Sequence, residues 1–362
     1  MPQVKPEIES FARIKLVGVG GSGCNAVSRM VTKKIKGVEF IGINTDAQAL
    51  HFCKAPEKIL IGKNTTKGLG AGMNIEVGRG AIEESRQEVE DALKGADMVF
   101  VTCGLGGGTG TPGAPVVAEI ARSLGALTIA IVTKPFAFEG KKRTEFAENG
   151  LAELRDKVDS LIVIPNDKVL SIIDEKTTLL NAFSIIDDVL AQGVQAISDI
   201  IVKPGIINVD FADVKTIMKD SGWALMGIGK AKGEKRMESA AKRAVNSPLL
   251  EVSIEGAKGV LFTVSGGDDL TMKEVDEGAR LITKSVDPEA QVIFGAVIDE
   301  TLKKGEVKTT VIATGLSNLP EIKPKTYFQP PKIEEEMPRE KEEEWDVPAF
   351  LRKKVSNRQI KK

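Results

Sequence analysis

The residues with the clearest chemical potential are glycines in a short segment near the amino terminus. The segment Gly18–Asn25 follows a predicted strand, opens a predicted helix and satisfies the pattern G-x-G-x-x-G. Glycines in such a loop let backbone N–H groups approach phosphate oxygens at the positive end of a helix. By itself the pattern fits two interpretations: a dinucleotide-binding turn, or a tight strand-to-helix connection without a ligand.

A second glycine-rich segment, Gly104–Thr111, also stands between a predicted strand and a predicted helix. Its five glycines in eight residues are costly in backbone entropy and need a reason. Loops at the carboxyl ends of parallel strands converge on the crevice where open α/β sheets bind ligands. Because one loop suffices for a pyrophosphate, two loops predict a longer polyphosphate. Gly68–Gly72 is a third candidate loop.

The side chains available for catalysis are few. The sequence lacks the G-x-x-x-x-G-K-[ST] pattern, so we expect backbone amides rather than a lysine to hold phosphates. Its single histidine, His51, leaves mechanisms that need a histidine base or triad almost nothing to draw on. Asp210 and Asp213 could polarise an attacking water. An Asp-x-x-Asp sequence at a predicted helix start is equally a plain N-terminal cap.

The elements that position these residues follow from hydrophobic patterning. Runs of β-branched residues alternate with amphipathic segments in the first half of the chain, which indicates a parallel sheet flanked by helices. Several runs are apolar on both faces, as in strands that are covered on both sides. The predicted strands are Arg13–Val19, Val38–Ile43, Lys58–Ile61, Asp97–Thr102, Leu127–Thr133 and Ser160–Ile164.

A long helix is predicted over Thr178–Val202, which we expect to cross the core and lead to a smaller α+β domain. Apolar residues recur at spacings of three and four along one stripe of this helix, namely Ile186, Leu190, Val194, Ile197 and Ile201. In the smaller domain the predicted strands are Trp223–Gly229, Gly259–Val264, Gln291–Val297 and Val307–Thr314, with helices near Glu234–Val245 and Thr271–Lys284.

The composition changes again after Ser317. The segment 318–344 carries prolines and glutamates with few apolar residues, which predicts a disordered linker. Beyond it, Trp345–Arg352 contains three large apolar residues and is followed by lysines and arginines. This combination is typical of a docking peptide, and an irregular terminus without function is the alternative.

Composition excludes several classes of protein. The 362 residues suggest about two domains, and 50 basic against 51 acidic side chains argue against a whole-surface nucleic-acid binder. Three cysteines without metal-like spacing argue against a disulfide scaffold or a zinc site. No apolar run approaches the roughly 18 residues of a membrane span, and no signal peptide is recognisable. We therefore expect a cytoplasmic protein in a reducing compartment.

Seven segments, in this order along the chain, give it a specific resemblance over residues 13–316. It resembles the FtsZ family, the bacterial cell-division GTPases that are homologous to tubulin. The Asp346–Arg352 tail is similar to the terminal docking peptide of that family. The segments that carry the resemblance are Gly18–Asn25, Asn44–Leu50, Gly68–Gly72, Gly106–Thr111, Pro135–Gly140, Pro165–Asp167 and Asn208–Lys215.

The resemblance implies an α/β fold with a Rossmann-like parallel-sheet GTPase domain, a long central helix and a smaller α+β domain. The implied boundaries are a flexible segment at 1–12, a GTP-binding domain at 13–177, a central helix and catalytic loop at 178–221, a C-terminal domain at 222–316, a disordered linker at 317–344 and a docking peptide at 345–362.

The resemblance also implies a GTP site. Asn166 and Asp187 would read the guanine edge, and Phe183 would stack on the base. Read without the resemblance, Phe183 fits an ordinary core position, and Glu139 with Arg143 fits a solvated helix pair. The implied nucleotide-binding residues are Gly21, Ser22, Gly23, Cys24, Asn25, Ala71, Gly72, Gly108, Thr109, Gly110, Thr133, Glu139, Arg143, Asn166, Phe183 and Asp187.

The implied mechanism divides the active site between two subunits. Asp210 and Asp213, with Asn208 positioning their loop, would meet the γ-phosphate of the next subunit in a head-to-tail filament, and Mg²⁺ is expected on the phosphates. Such an interface is heterologous and does not close. Residues 345–352 would bind membrane adaptors and division regulators, placing the protein at a mid-cell ring. No nucleic-acid partner and no membrane span are expected.

Three positions in two loops depart from the family pattern. Pro112 replaces the last glycine of the second loop, which removes one N–H and leaves the loop geometry open. Met73 and Ile75 stand where the family usually has alanine and proline, near the expected γ-phosphate. Two other functions stay open from the residues alone: an NAD-dependent oxidoreductase built on G-x-G-x-x-G, and a nucleotide-binding scaffold with little turnover.

Overall fold

A computed structural model describes residues 12–170, 173, 176–202, 207, 209–250, 252–299 and 302–316. Several predicted features lie outside these residues, namely the N-terminal segment up to residue 11, Asn208, the linker 317–344 and the docking peptide 345–362. None of the described helices is long and apolar enough to cross a membrane.

Six parallel strands form the first half of the sheet. They are β1 (Ile14–Val19), β2 (Val38–Asn44), β3 (Glu57–Leu60), β4 (Met98–Gly104), β5 (Leu127–Lys134) and β6 (Ser160–Pro165), in the spatial order β3-β2-β1-β4-β5-β6. Their bounds lie within two residues of those predicted. Phe100 faces one layer of helices while Val99 and Val101 face the other, and all three are fully buried.

Among the described residues, eight α-helices surround this part of the sheet. On one face, α1 (Gly20–Thr32) packs against the long α8 (Leu179–Val202), and α2 (Ala47–Phe52) packs beside α1. On the other face, α5 (Gly110–Ser123) packs among its neighbours α3 (Ile75–Glu84), α4 (Arg86–Leu93) and α6 (Lys141–Arg155). The short α7 (Asn166–Leu170) contacts α8.

The long helix has the predicted apolar stripe, since Ile186, Leu190, Val194 and Ile197 are all buried. Its 24 residues span about 36 Å. An ion-paired cluster fastens it to α1, because Arg29 donates to both carboxylate oxygens of Asp188 at 2.6 and 3.1 Å and Lys33 approaches the same carboxylate at 2.8 Å.

The second half continues the same sheet. Strands β7 (Gly222–Lys232), β8 (Gly259–Gly266), β9 (Gln291–Ile298) and β10 (Glu306–Thr314) extend it in the order β7-β10-β8-β9. Three residues at the start of β7 pair in parallel with the start of β6, so one ten-stranded sheet runs through both halves. Helices α9 (Phe211–Met218), α10 (Arg236–Val245) and α11 (Met272–Thr283) complete this α+β part.

Candidate functional site

The first glycine loop combines close packing with open space. The chain leaves β1 at Gly18 and turns at Gly20, whose φ of +73° favours glycine. A Cβ at Gly18 would lie 2.4 Å from the carbonyl oxygen of Gly23, and a Cβ at Gly23 would lie 2.6 Å from that of Thr102. These two glycines therefore allow α1 to pack on the sheet, whereas a Cβ at Gly21 would have no neighbour within 4 Å.

The second glycine loop touches the first. A Cβ at Gly20 would lie 3.0 Å from the backbone nitrogen of Gly110. The hydroxyl of Thr111 accepts a hydrogen bond from the N–H of Gly106 at 2.8 Å, which holds the loop in shape. Gly107 again faces open space. The carboxyl ends of β1 and β4 therefore form adjacent walls of one crevice.

The third loop closes this crevice from the side of α3. Gly108 donates its N–H to the carbonyl of Gly72 at 3.0 Å. A Cβ at Gly78, in α3, would lie only 1.7 Å from the carbonyl oxygen of Gly108. Ala71 is buried, while Gly72 has a φ of +58° and open space where a side chain would be. Three glycine loops distant in sequence thus lie side by side.

The departures from the family pattern leave this arrangement intact. Pro112 is the third residue of α5, inside the first turn, where a backbone N–H has no partner within the helix. Its missing N–H therefore removes no helical hydrogen bond. Ile75 begins α3, which Asn74 caps by accepting from the N–H groups of Glu76 and Val77, and Met73 is 47% exposed.

Aromatic rings and a carboxylate gather beside the same crevice. Phe136, after β5, stacks on Phe138 with ring centroids 4.8 Å apart and meets Phe183 of α8 edge-on at 5.5 Å. Phe183 is 42% exposed, which an ordinary core residue would not be. Asp187 lies one turn further along α8.

A polar group pairs with the aromatic cluster. Glu139 accepts a hydrogen bond from the N–H of Phe136 at 2.9 Å and forms an ion pair with Arg143 at 3.0 Å. Arg143 also packs against the second loop, since a Cβ at Gly106 would lie 2.7 Å from its Cγ. Glu139 and Arg143 therefore form part of the crevice wall.

Three buried polar atoms around the crevice have no hydrogen-bond partner within the part of the chain that the structure describes. They are the Nδ2 of Asn44, the Nε of Arg143 and the Oδ1 of Asn166. Buried polar atoms are rarely left unpaired in native proteins, and such exceptions call for an explanation. Two donors near glycine loops and one acceptor beside an aromatic cluster fit a ligand with phosphates at one end and a polar base at the other.

Asp187 has an unusual protonation equilibrium. Burial, followed by the nearby charge of Asp188, raises the pKa of Asp187 to about 6, and Arg29 opposes the shift. Asp188 is itself paired with Arg29 and Lys33. The cluster therefore pairs one carboxylate and leaves Asp187 without an ion-pair partner among the described residues.

The sequence interpretation missed two residues of the crevice, although both stand in a segment that carries the resemblance. The hydroxyl of Thr45 lies 2.8 Å from that of Thr109 in the second loop. Asn44 is buried, and its Oδ1 accepts from the N–H of Thr45 at 2.9 Å. Asn44 ends β2 and Thr45 follows it, and β2 pairs with β1, so their position at the carboxyl end of an adjacent parallel strand is the signal that could have revealed them.

Of the remaining nucleotide-site candidates, Ser22 and Asn25 are exposed in the first two turns of α1, and Cys24 between them is buried. Thr133, near the end of β5, is buried beside the second loop, where its carbonyl accepts a hydrogen bond from the N–H of Leu105 at 2.9 Å. Gly110 is buried at the start of α5. All of them therefore border the crevice or support its loops.

Asp210 and Asp213 lie apart from the crevice. Val202, the last residue of α8, is about 22 Å along the helix from Asp187 and packs against Gly37, just before β2 begins. The carbonyl of Met218, at the end of α9, accepts a hydrogen bond from Ser160, the first residue of β6. Both contacts are at the amino ends of strands, opposite to the glycine loops.

The two aspartates are exposed at the start of α9. Asp210 is the N-cap residue, yet its side chain accepts no capping hydrogen bond, and Asp213 is in the first turn. Asp213 is about 8 Å along α9 from Met218. The geometry therefore gives no support to a simple capping role, and it keeps both carboxylates away from the crevice of their own chain.

Comparisons with known proteins agree with this geometry. The GTPase domain of the Tubulin/FtsZ family matches residues 13–174, and the C-terminal domain of the FtsZ family matches residues 222–317. An empty FtsZ dimer from M. jannaschii is 47% identical, with a TM-score of 0.83, and the match covers 86% of this chain and 91% of that one. A point mutant of FtsZ from M. jannaschii is 48% identical, with a TM-score of 0.81, over 84% and 92% of the two chains.

A more distant structure shares the fold. The GDP-bound monomer of CetZ1 from Haloferax volcanii is 23% identical, with a TM-score of 0.74, over 86% of this chain and 96% of that one. The fold and the crevice are those of a GTPase of the tubulin type. The chain belongs to the FtsZ family.

Membership defines the activity. This protein is a GTPase that binds guanine nucleotide and assembles with copies of itself as a cytoskeletal protein. The alternative of an NAD-dependent oxidoreductase is therefore wrong. The bacterial source implied by the sequence resemblance is not confirmed, because both matched FtsZ structures come from an archaeon.

Replacing Gly78 by alanine should destabilise the protein by about 2 kcal/mol or more, because the new Cβ would overlap the Gly108 carbonyl and force the second loop to move. Gly80→Ala in the same helix is the control. Its Cβ would lie 3.8 Å from its nearest neighbour, so it should be neutral or stabilising by up to about 1 kcal/mol. Urea unfolding measures both effects, and equal effects would contradict the steric role of Gly78.

Replacing Asp187 by asparagine should stabilise the nucleotide-free protein near neutral pH. The folded state raises the pKa of Asp187 to about 6, above its ordinary value near 4, so it binds this proton more tightly than the unfolded chain does. The resulting stabilisation is complete below about pH 4 and is lost as the pH rises through about 6. The advantage of Asp187→Asn should therefore grow between about pH 5 and about pH 7.5.

Urea unfolding of the wild type and the variant at those two pH values measures the difference. Glu145→Gln is the control, because it removes one negative charge from a side chain that is 61% exposed. An advantage of Asp187→Asn that is the same at both pH values would show that burial of its charge is not the cause.

Proposed function

We propose that the crevice binds GTP with its phosphates on the three glycine loops and its base against α8. Gly21–Asn25 and Gly108–Gly110 would surround the phosphates, with backbone N–H groups at the start of α1 and at Thr109 and Gly110 as donors, and Ala71 and Gly72 would lie near the γ-phosphate. The open space at Gly21, Gly72 and Gly107 supports this assignment, since no protein atom fills it. The positive end of α1 adds a favourable field for the anion.

The base would lie between Phe183 and the polar groups of Asp187 and Asn166. A carboxylate can accept from both the N1–H and the N2–H of guanine, and the unpaired Oδ1 of Asn166 offers a further acceptor. Glu139 and Arg143 would contact the ribose and phosphates, where the unpaired Nε of Arg143 supplies a donor. The orphaned atoms thus support the proposed orientation.

Mg²⁺ would bind together with the nucleotide. Within the described ranges, no group of three or more His, Cys, Asp or Glu side chains could hold a metal ion. We therefore propose that phosphate oxygens and water supply most of its ligands, a coordination that Mg²⁺ prefers. When bound, the ion neutralises phosphate charge, while the loops and Thr109 orient the γ-phosphate.

Hydrolysis would require a second subunit, and one observation carries this proposal: α8 separates the two halves of the active site. Its first turns border the crevice, and its last turn is near the opposite edge of the sheet. In a head-to-tail filament, Asp210 and Asp213 of one subunit would reach the γ-phosphate of the next and polarise the attacking water. Asn208 would position their loop.

This division links assembly to turnover. A complete active site would exist only at the contact between subunits, so hydrolysis would follow assembly, and loss of the γ-phosphate would weaken the contact. Because the two surfaces differ, the interface propagates instead of closing. Met73 and Leu69, which is 86% exposed, lie on the third loop and would be covered by the next subunit.

The C-terminal tail would recruit other partners. We propose that residues 317–344 act as a tether and that residues 345–352 bind membrane adaptors and division regulators. Val347, Phe350 and Leu351 would supply the apolar contacts, and the following basic residues would favour anionic surfaces. Through such partners the filament would act in the cytoplasm at the mid-cell division ring.

Replacing Asp213 by alanine should leave GTP binding and assembly in place while lowering hydrolysis by about a hundredfold, the usual effect of removing one group that acts on the transition state. Phosphate release measured against protein concentration tests this. The wild type should show a GTP-specific rate that falls steeply below a critical concentration, and ATP and NADH should not support it.

Asp91→Ala is the control for this variant, since Asp91 is an exposed carboxylate in α4 whose ion pair with Lys94 is at the surface. It should hydrolyse GTP like the wild type. Normal turnover by Asp213→Ala would overturn the catalytic assignment, and a wild-type rate per subunit that does not depend on concentration would overturn the shared site.

Deleting Trp345–Lys362 should abolish adaptor binding without lowering GTPase activity or filament assembly, because none of the crevice or carboxylate residues is removed. Co-sedimentation of filaments with a purified adaptor measures binding, and a variant with the tail sequence scrambled controls for length and charge. Adaptor binding that persists after the deletion would contradict the docking role.

A further inference from the structure

Two of the three cysteines lie next to the first glycine loop. Cys24 is the fifth residue of α1, and Cys53 directly follows α2. Both are buried, and both are free thiols. Cys103, in β4, is buried and stands apart from them as an internal reference.

A glycine leaves room for the two sulfur atoms to face each other. A Cβ at Gly42, in β2, would lie 3.0 Å from the Sγ of Cys53 and 3.6 Å from that of Cys24. Both sulfurs therefore border the space that a side chain at Gly42 would fill. The Sγ of Cys53 donates to the carbonyl oxygen of Cys24 at 3.5 Å, and the Sγ of Cys24 lies 3.7 Å from the carbonyl oxygen of Ile43, the residue after Gly42. The helices α1 and α2 are thus joined at this point by sulfur contacts.

The two thiols have different reactivity. A hydrogen bond from Cys24 is the main cause that lowers the pKa of Cys53 to about 6, against the opposing effect of burial. The hydroxyl of Ser28, 3.7 Å away, and the charge of Lys58 act in the same direction. The pKa of Cys24 is raised, and burial raises that of Cys103 to about 12. Cys53 ends a six-residue helix next to the exposed Phe52, whereas Cys24 lies within the long α1, so accessibility and the lowered pKa both make Cys53 the nucleophile of the pair.

We propose that Cys24 and Cys53 form a disulfide when the protein meets a hydroperoxide, and that this bond regulates the phosphate-binding loop. The Cys53 thiolate, formed by loss of its proton to solvent, attacks a peroxide oxygen, so an S–O bond forms, the O–O bond breaks and the leaving hydroxide takes the proton of Cys24 to become water. The Cys24 thiolate then attacks the sulfur of Cys53, so the S–S bond forms, the S–O bond breaks and a second hydroxide leaves and is protonated by solvent. Hydrogen peroxide thereby accepts two electrons from the two sulfurs, and two thiols and one peroxide give one disulfide and two waters.

The route to the pair is short. Cys53 follows a helix of only six residues, and its neighbour Phe52 is 73% exposed. A small hydroperoxide needs only a local displacement of the end of α2 to reach the sulfur, whereas a bulky disulfide reagent needs a larger one.

The bond would act on the nucleotide crevice from two sides. Cys24 precedes Asn25 near the start of α1, which follows the first glycine loop. Cys53 follows α2, and α2 itself follows the Asn44–Asp46 segment, whose Thr45 contacts Thr109. Drawing the two sulfurs to bonding distance must shift at least one of these segments. The effect on GTP rests on the proposed function, and a loss of affinity of about tenfold is expected, equivalent to about 1.4 kcal/mol.

The test treats the full-length nucleotide-free protein with hydrogen peroxide and counts free thiols after denaturation. Three thiols should fall to one in the wild type, and peptide mapping should find Cys24 joined to Cys53. Cys53→Ser should abolish the cross-link, Cys24→Ser should abolish it independently, and Cys103→Ser should retain it. Circular dichroism and thermal unfolding show whether each variant is folded.

GTP binding is then measured before oxidation, after oxidation and after treatment with dithiothreitol. Weaker binding by the oxidised wild type, restored by the reductant and absent in Cys53→Ser, supports the proposal. Oxidation of Cys53 alone, or loss of all three thiols, would overturn the disulfide. A Cys24–Cys53 bond with unchanged GTP affinity would overturn the regulation, while a reduced protein that does not bind GTP would contradict the proposed function instead.

Discussion

The close approach of backbone to backbone at the carboxyl ends of the strands is the constraint on which the crevice depends. The Gly108 carbonyl occupies the space that a side chain at Gly78 would need, and Gly20 and Gly110 bring the first two loops into contact. Side chains at these points would separate the loops. With no phosphate-loop lysine in the sequence, the proposed nucleotide site would rely on amide groups whose positions the packing of α1, α3 and α5 determines.

The long helix α8 sets the second constraint. It carries Phe183 and Asp187 at one end and leads towards Asp210 and Asp213 at the other. A rigid helix of about 36 Å cannot bring both ends to one nucleotide, so under the proposed function a single chain would hold two half-sites that face in opposite directions. In a head-to-tail assembly such half-sites would become complementary. The length of α8 would then account both for polymerisation and for hydrolysis at the contact between subunits.

The neighbouring residues Asp187 and Asp188 of α8 have different electrostatic surroundings and therefore different roles. Asp188 is held by Arg29 and Lys33 and fastens α8 to the helix that follows the first phosphate loop. Asp187 is left half-buried, with a raised pKa, beside the aromatic cluster. The N–H groups of a bound base would donate to the Asp187 carboxylate, which has no ion-pair partner among the described residues. Because Asp188 takes both Arg29 and Lys33, Asp187 stays available for a ligand.

The local elements and their chemistry could be predicted from the sequence, including the parallel strands, the apolar stripe of α8 and the glycine loops after β1 and β4. These follow from spacing and composition over a few residues. Family membership could likewise be predicted from the ordered motifs. Other features became visible only in the folded chain. Gly18 and Gly23 allow close packing whereas Gly21 faces open space, and Asn44 and Thr45 line the crevice. Strands β6 and β7 join the two halves into one sheet, and Cys24 contacts Cys53. Each of these depends on atoms brought together from separate elements, and such distances are set by how the helices pack on the sheet rather than by any local pattern.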